Sequence, residues 1–473
     1  MDKKIIGRQS ETQKLTDLYN SENAEFIAVC GRRRVGKTFL IRQLFGNRLI
    51  FDLAGLANTD TKTQLANFNL TLNRCFNKQL PVAKNWLYAF EQLIAQLKKS
   101  RTKRKVVFID EISWLDTPRA GFLTALEHFW NGWACGRDDI MLIICGSATS
   151  WITNKIINNH GGLHNRLTAT LFLQPFNISE TEQYFLSHKI MLGRQEIAEA
   201  YMIFGGIPYY LSLFEKGLSL SQNIDNLCFK QNAKLKNEFS NLYASLFRKS
   251  ENYVATVSAL SLKNKGLTRG EISEITKKSG RELTEILINL ESCGFIRSYN
   301  ALHKKKRDRL YQLLDAYTLF YFNFLENYNS KDENFWTNSL NTPLRNTWAG
   351  YAFESLVLQH VSEIKRTLGI SGVQSGVSAW ATDKTDNYDG CQIDLLIDRK
   401  DGVINICEMK FSNSPFIISK AYEANLRNKL AAFEYVSKTK KALHLTFITT
   451  FGVVHNKRYS IVQKEITLDD IFL

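Results

Sequence analysis

Short apolar runs closed by glycine or acid recur through the first third of the chain. Residues 26–30 form one, ended by Gly31, and others occupy 49–53, 106–109 and 140–145. Such runs predict strands buried on both faces, as in a parallel sheet. Between them, 39–45, 86–98 and 120–133 carry helical spacing. Strands alternating with helices predict a layered α/β sheet.

The pattern then changes. From about 177 to 247 it is helical without a clear strand, punctuated by Pro175 and Pro208. Three helices are predicted at 251–262, 270–278 and 281–292, the last with Leu283, Ile286, Leu287 and Leu290 at 3–4 spacing. Alternating segments around 295–300 and 309–314 bracket a basic stretch, as strands bracket a wing, so this part predicts a winged helix-turn-helix. An aromatic-rich helix at 316–328 and a polar stretch at 329–342 read as a helix and linker. The rest predicts a helix at 349–365, strands at 391–397 and 403–411, a helix at 419–437 and a strand at 443–449. The expected domains are therefore 1–175, 176–248, 249–315, a helix and linker at 316–344, and 345–473.

The first strand leads into Gly31, Arg32, Arg33, Arg34, Val35, Gly36, Lys37 and Thr38, which fit G-x-x-x-x-G-K-[ST] without a gap. The glycines let backbone N–H groups turn inward around phosphate oxygens, and the following helix directs its positive end there. Lys37 would reach the β- and γ-phosphates and Thr38 would ligate Mg²⁺. The run at 106–109 ends in Asp110 and Glu111. Asp110 would hold the Mg²⁺ shell, and Glu111 would orient or deprotonate the attacking water. The run at 140–145 ends at Gly146 and Ser147, where a serine could bond the γ-phosphate or the water, or merely make a turn. ATP and Mg²⁺ are the expected cofactors.

Bulk properties narrow the setting. At about 150 residues per domain, 473 residues suggest roughly three domains. No apolar stretch reaches the roughly 18 residues of a membrane span, so no membrane association is expected. The polar N-terminus predicts no signal peptide. Eight scattered cysteines without a Cys-x-x-Cys pair predict buried, reduced thiols and a cytoplasmic location. The formal net charge is 61 − 46 = +15. Clustering of this charge at 98–105 and 303–309 predicts a nucleic-acid partner.

Ile6-Gly7-Arg8, Glu11, the Gly-rich loop, Asp110-Glu111, Gly146-Ser147, Asn165-Arg166, Pro175-Phe176 and Gly205-Gly-Ile-Pro208 stand in an order that resembles AAA+-related P-loop ATPases. The likeness is to the archaeal-bacterial ATPase family near the STAND NTPases, which usually carry a winged helix. It implies a helical lid over residues 176–248. It also implies that Gly7 and Arg8 lie near the adenine, that Pro208 packs on the base, and that Arg166 senses the γ-phosphate from the same or a neighbouring subunit. For Arg166 a surface salt bridge is the competing reading. The lid has no convincing second sensor arginine.

In the last domain, Asp394 and Glu408 interrupt apolar strands, and Lys410 lies two residues beyond Glu408, on the same strand face. Glu354 stands at the edge of the apolar stripe of the preceding helix. Buried carboxylates need a partner or a metal. This arrangement resembles the PD-(D/E)xK nuclease superfamily, although no proline precedes Asp394 and Gln392 takes a place often acidic. The resemblance implies an α/β restriction-endonuclease-like domain, with Mg²⁺ or Mn²⁺ held by Glu354, Asp394 and Glu408 beside Lys410. On the predicted recognition helix, Glu282, Glu285 and Glu291 would repel phosphates, which favours a protein contact there as much as a nucleic-acid contact. The expectation is an ATPase acting on or with nucleic acid. The rival is an ATP-driven switch or scaffold for a protein partner or second copy, with an inactive nuclease-like domain.

Overall fold

The structure is a computed structural model describing residues 4–147, 149–158, 161–247, 249–299, 309–329 and 331–472. The chain divides into two compact units, Met1–Pro175 and Phe176–Leu473.

The first unit contains α1 (Gln9–Asn20), β1 (Glu25–Cys30), α2 (Lys37–Phe45), β2 (Leu49–Ala54), α3 (Thr61–Phe76), α4 (Trp86–Lys99), β3 (Lys105–Asp110), α5 (Phe122–Phe129), β4 (Ile140–Gly146), α6 (Thr149–Ile152) and β5 (Ala169–Phe172). The strands form one sheet in the order β2-β3-β4-β1-β5, every pair parallel. β1, β3 and β4 are buried at every position, as unbroken apolar runs require when helices cover both faces. β2 lies at the sheet edge and is buried only at alternate positions, contrary to the expectation of two buried faces. Phe51 of this strand meets Phe68, which joins Trp86, Phe90 and Phe122 in an aromatic cluster with ring centroids 4.9 to 6.4 Å apart. α1, α3 and β5 were not expected from the apolar pattern; β5 has only four residues, half of them covered.

The second unit opens with α7 (Ile178–Ser187), α8 (Arg194–Phe204), α9 (Pro208–Leu211), α10 (Leu220–Ile224) and α11 (Glu238–Leu246). A small part follows: α12 (Ser250–Ser261), β6 (Leu267–Thr268), α13 (Arg269–Thr276), α14 (Gly280–Ser292), β7 (Ile296–Tyr299) and β8 (Leu310–Leu313). Its three-stranded sheet runs β6-β8-β7. Leu283, Ile286, Leu287 and Leu290, the expected stripe of α14, are all buried.

Next come α15 (Ala316–Phe320), continued by a π-helical turn at Tyr321–Leu325, and α16 (Phe335–Asn338). Within the stretch 329–342, expected as a linker, Phe335–Asn338 form α16. Trp336 is fully buried among Phe320, Phe324 and Trp348, with the Arg345 guanidinium 4.2 Å from its ring centroid. The buried Asp225 carboxylate accepts from Trp336 N and Thr337 N, at 2.7 and 3.1 Å. Polar composition hid a segment whose few aromatics anchor it.

The remainder comprises α17 (Pro343–Gln359), α18 (Val361–Thr367), β9 (Ser375–Thr382), β10 (Cys391–Arg399), β11 (Val403–Lys410), α19 (Lys420–Ser437), β12 (Ala442–Thr449), β13 (Lys464–Thr467) and α20 (Leu468–Ile471). The strand order is β13-β12-β11-β10-β9, with β9, β10 and β11 antiparallel and β11, β12 and β13 parallel. The single helix expected at 349–365 is two, broken at His360. That imidazole is buried: Nε2 accepts from Ile178 N at 3.0 Å, and Nδ1 bonds Leu356 O at 2.8 Å. These bonds fix the neutral tautomer with the proton on Nδ1, and burial holds the pKa below the usual histidine range.

Among the described residues all eight cysteines are free. Cys30, Cys145, Cys228, Cys293 and Cys407 are buried as expected, whereas Cys391 is half-buried and Cys75 and Cys135 are exposed. No described helix is long and apolar enough to cross a membrane.

Candidate functional site

In a parallel sheet every strand ends on the same side, so the residues after β1, β3 and β4 collect at one edge. The order β3-β4-β1 makes their ends neighbours. Gly31 follows β1 with φ +146°, and a Cβ there would stand 2.4 Å from the Leu173 carbonyl oxygen. Only glycine lets the loop leave the sheet so close to that backbone.

Lys37 opens α2 and is buried. Its Nζ donates to Gly31 O at 2.7 Å, Arg32 O at 2.8 Å and Ser147 Oγ at 3.1 Å. The Ser147 hydroxyl donates onward to Glu111 at 2.8 Å, and Ser147 N reaches the same carboxylate at 3.3 Å. Thr38 Oγ1 donates to Asp110 at 2.6 Å, and Glu111 N donates to the other Asp110 oxygen at 2.9 Å. Glu111 holds a left-handed backbone, φ 46°, just after β3, and its carboxylate meets Ser147 just after β4. Lys37, Thr38, Asp110, Glu111 and Ser147 therefore form one hydrogen-bonded cluster. The Thr38 hydroxyl and Asp110 carboxylate are oxygen donors of the kind Mg²⁺ selects. Burial pushes the Cys30 thiol beneath the loop up to about 12, which keeps it neutral.

The other expected nucleotide residues divide. Arg8 is buried, with a left-handed backbone, and donates to Val35 O at 3.3 Å and Gln174 O at 2.6 Å, so it braces the loop. Arg32 is buried, whereas Arg33 is exposed. Arg166 is exposed in the turn before β5, and among the described residues no hydrogen bond joins its side chain to Lys37, Glu111 or Ser147. Pro208, in the second unit, occupies the first turn of α9, where its missing N–H costs nothing. Just before it, Gly206 O accepts from Phe176 N at 2.9 Å, and a Cβ on Gly206 would stand 2.1 Å from the Phe176 carbonyl oxygen. The Pro175-Phe176 and Gly205-Gly206 motifs thus include a direct backbone contact, at Phe176 and Gly206.

The basic cluster at 98–105 is partly structural. Arg104 is buried and donates to Asn23 O, Leu18 O and Asp138 O; Lys105 pairs with Asp139 at 2.5 Å. These two cations serve the fold rather than a polyanion. Of the cluster at 303–309, residues 303–308 lie outside the described residues. On α14 the glutamates are engaged locally, Glu285 by Arg281 at 2.8 Å and Glu282 by Lys278 at 3.2 Å.

The C-terminal constellation lies in the second unit. Leu395 pairs with Cys407 and Leu396 with Ile406, so Asp394 and Glu408 sit on adjacent strands at the end of this ladder. The β10–β9 pairing is irregular between Ile393 and Leu396, the stretch that carries Asp394. Among the described residues no group of three or more His, Cys, Asp or Glu side chains is arranged to hold a metal. Glu354, Asp394 and Glu408, the expected ligand set, lie within reach of one another's charge. Glu408 is engaged by cations: Lys429 Nζ at 2.6 Å and Lys410 Nζ at 3.1 Å, with the Tyr422 hydroxyl also donating to it. Asp394 accepts from the Gln392 amide.

Electrostatics follow this division. Burial opposes ionisation of Glu408, yet Lys429 and Lys410 outweigh it and hold the carboxyl below its usual range. Burial and the Asp394 charge push Glu354 up to about 8. Asp394 is also raised, by burial and by Glu408. Tyr422 and Lys429 were missed by sequence reasoning. The signal was present: Tyr422, Leu426, Lys429 and Phe433 follow helical spacing on one stripe of α19, and Leu426 and Phe433 are buried. A lysine inside an apolar stripe marks a buried anion.

Comparison with known proteins bears on the first unit and runs on into the second. Residues 6–214 match the family model described as an ATPase domain predominantly from Archaea. An uncharacterized protein of Methanocaldococcus jannaschii is 25% identical over 371 residues, covering 76% of this chain and 78% of that one. Among solved structures, the Walker-type ATPase of Pyrococcus abyssi is similar at a TM-score of 0.50 and 18% identity, over 68% of this chain and 96% of that chain. The ORC2 protein of Aeropyrum pernix aligns at a TM-score of 0.44 and 13% identity, over 76% and 97%. The five-stranded parallel sheet fits a P-loop NTPase fold, and the family match supports a P-loop ATPase.

Proposed function

We propose that this protein binds and hydrolyses ATP at the cluster of Lys37, Thr38, Asp110, Glu111 and Ser147, and that turnover controls engagement of nucleic acid by the second unit. The observation that carries the ATPase reading is the hydrogen-bonded chain from Lys37 through Ser147 to Glu111, beside the Thr38–Asp110 pair. Lys37 now donates to two loop carbonyls; phosphate oxygens are stronger acceptors and would draw the ammonium away from them. Thr38 and Asp110 would hold Mg²⁺, which supplies charge neutralisation on the phosphates. Glu111, held by Ser147 N and Oγ, is oriented to align the attacking water and take its proton. Arg8 braces the loop and Arg33 is exposed within it; with Gly7 they are the further candidate contacts for the nucleotide, and Arg166 is the candidate cation for the γ-phosphate.

The nucleic-acid part rests on the charge of +15 and on the lysines of the C-terminal constellation. The small three-stranded part reads as a winged helix and residues 345–473 as a nuclease-like domain. A second reading, an ATP-driven switch or scaffold whose nuclease-like domain does not cleave, is favoured by one observation: Glu408 is already paired with two lysines.

The test uses calorimetry and single-turnover hydrolysis. Lys37→Ala is expected to abolish binding of ATP with Mg²⁺. Glu111→Gln is expected to keep binding and slow hydrolysis by roughly 10²-fold or more. Unchanged affinity in the first variant, or a near-normal rate in the second, removes the assignment of that residue. Nicking of labelled DNA with Mn²⁺ that is lost in Asp394→Ala/Glu408→Ala would favour cleavage over the second reading.

A further inference from the structure

The small three-stranded part and the C-terminal constellation are neighbours within the second unit, although Gln312 and Glu354 stand 42 residues apart along the chain and Arg297 and Asp394 stand 97 apart. Asn264 and Gln312 of the small part line a cavity of about 40 Å³ together with Tyr351, Glu354 and Ser355 of α17. Gln359, at the end of α17, donates to Leu314 O at 3.4 Å.

Three side chains of the small part are organised toward this boundary. Arg297 on β7 donates from Nε to Gln312 at 2.7 Å, and its guanidinium lies 4.7 Å from the Tyr299 ring centroid. The Tyr299 hydroxyl donates to Lys265 O at 2.6 Å, and Gln312 donates to Asn264 O at 2.7 Å. The Asp394 charge acts on both Arg297 and Tyr299, and the Lys265 charge acts on Asp394. Arg297 thus stands within electrostatic reach of Asp394, and through Gln312 it borders the cavity that Glu354 lines. Among the described residues the side chain makes its one hydrogen bond through Nε, which leaves the Nη groups without an acceptor.

The balance of charge points to an anion. Lys265, Arg297, Lys410 and Lys429 are four cations around the three carboxyls Glu354, Asp394 and Glu408. A planar guanidinium fixed through Nε presents its remaining N–H groups as a fork, the geometry that matches phosphate. Tyr299 beneath it supplies an aromatic face, as in sites that follow a nucleic-acid strand.

The geometry points to one composite site: Arg297 and Lys265 of the small part join Lys410 and Lys429 to bind the phosphate backbone of a nucleic-acid strand. This rests on the nucleic-acid reading above and adds to it which surface of the small part is used. The contact is β7 and the turn at Lys265, not the acidic helix α14. Arg297 is a binding residue here, and Gln312 positions it.

The experiment measures fluorescence anisotropy of a fluorescein-labelled 30-mer DNA, single-stranded and duplex, with full-length protein across a salt series. Arg297→Gln is expected to weaken binding several-fold and to lower the salt slope by about one, as loss of one phosphate contact does. Arg297→Lys should restore the slope. Lys429→Gln should weaken binding too, and the double variant should lose less than the sum of the two singles, because residues of one site couple. Melting temperatures accompany each variant, and non-additivity distinguishes a shared site from a general loss of structure. Wild-type affinity and slope in Arg297→Gln, with binding weakened in Lys429→Gln, would overturn the composite site and leave the C-terminal contact standing. No change in either variant, or no binding by the unaltered protein, would overturn both.

Discussion

Ser147 offers the sharpest probe of the nucleotide site, because one hydroxyl joins its two charged ends. Ser147→Ala removes a donor to Glu111 at 2.8 Å and an acceptor of Lys37 at 3.1 Å, in a residue only 6% exposed. Lys37 keeps Gly31 O and Arg32 O, so its placement in the free protein should survive. Glu111 keeps only Ser147 N, at 3.3 Å, and loses its orientation. A hydrogen bond to a charged group contributes about 1.5–3 kcal/mol. Were that bond fully used in the transition state, turnover would fall by roughly 10- to 150-fold. ATP affinity should change little, since the loss falls on the water-activating group. Single-turnover hydrolysis reads the rate and calorimetry reads the affinity. The same substitution in a Glu111→Gln background should add almost nothing, because Ser147 acts through Glu111. A rate within twofold of wild type, or an equal further loss in the Glu111→Gln background, would refute the relay.

Two further expectations concern the second unit. Glu354 titrates near 8 in the folded protein against an ordinary value of 4.5, so the folded state holds a proton that the unfolded chain gives up. Its contribution to stability is therefore greatest below about pH 4.5 and is lost as pH rises toward 8. In urea melts across this window, Glu354→Gln should flatten the decline relative to wild type; parallel profiles would show that Glu354 ionises freely. Trp336→Ala removes a fully buried ring stacked under Arg345 and bonded through Nε1 to Glu199 at 3.1 Å, and is expected to cost about 3–5 kcal/mol in chemical denaturation. A loss below about 1 kcal/mol would return 329–342 to a linker.

Local signals were legible in the sequence wherever the chemistry is contiguous. The loop from Gly31 to Thr38 is eight adjacent residues between a strand and a helix, and its function needs no distant partner to be recognised. Asp110 and Glu111 end an apolar run, so their place at a sheet edge follows from the run itself. The buried face of α14 likewise follows from its spacing, because a helix period of 3.6 residues fixes which positions face one way.

Tertiary structure decided which neighbour each face meets. Lys37 and Ser147 are 110 residues apart and touch only because β4 lies beside β1, an adjacency no periodicity encodes. Lys429 has the same spacing whether it meets water or Glu408; the packing of α19 against the sheet made it a half-buried cation paired with Glu408. Arg104 and Lys105 looked like part of a polyanion patch until backbone carbonyls and Asp139 claimed them. Arg297 and Asp394 belong to different folding patterns, and their charges meet only in the assembled second unit. A sequence specifies periods and side-chain chemistry locally, whereas burial and charge pairing are properties of surfaces that only folding brings together.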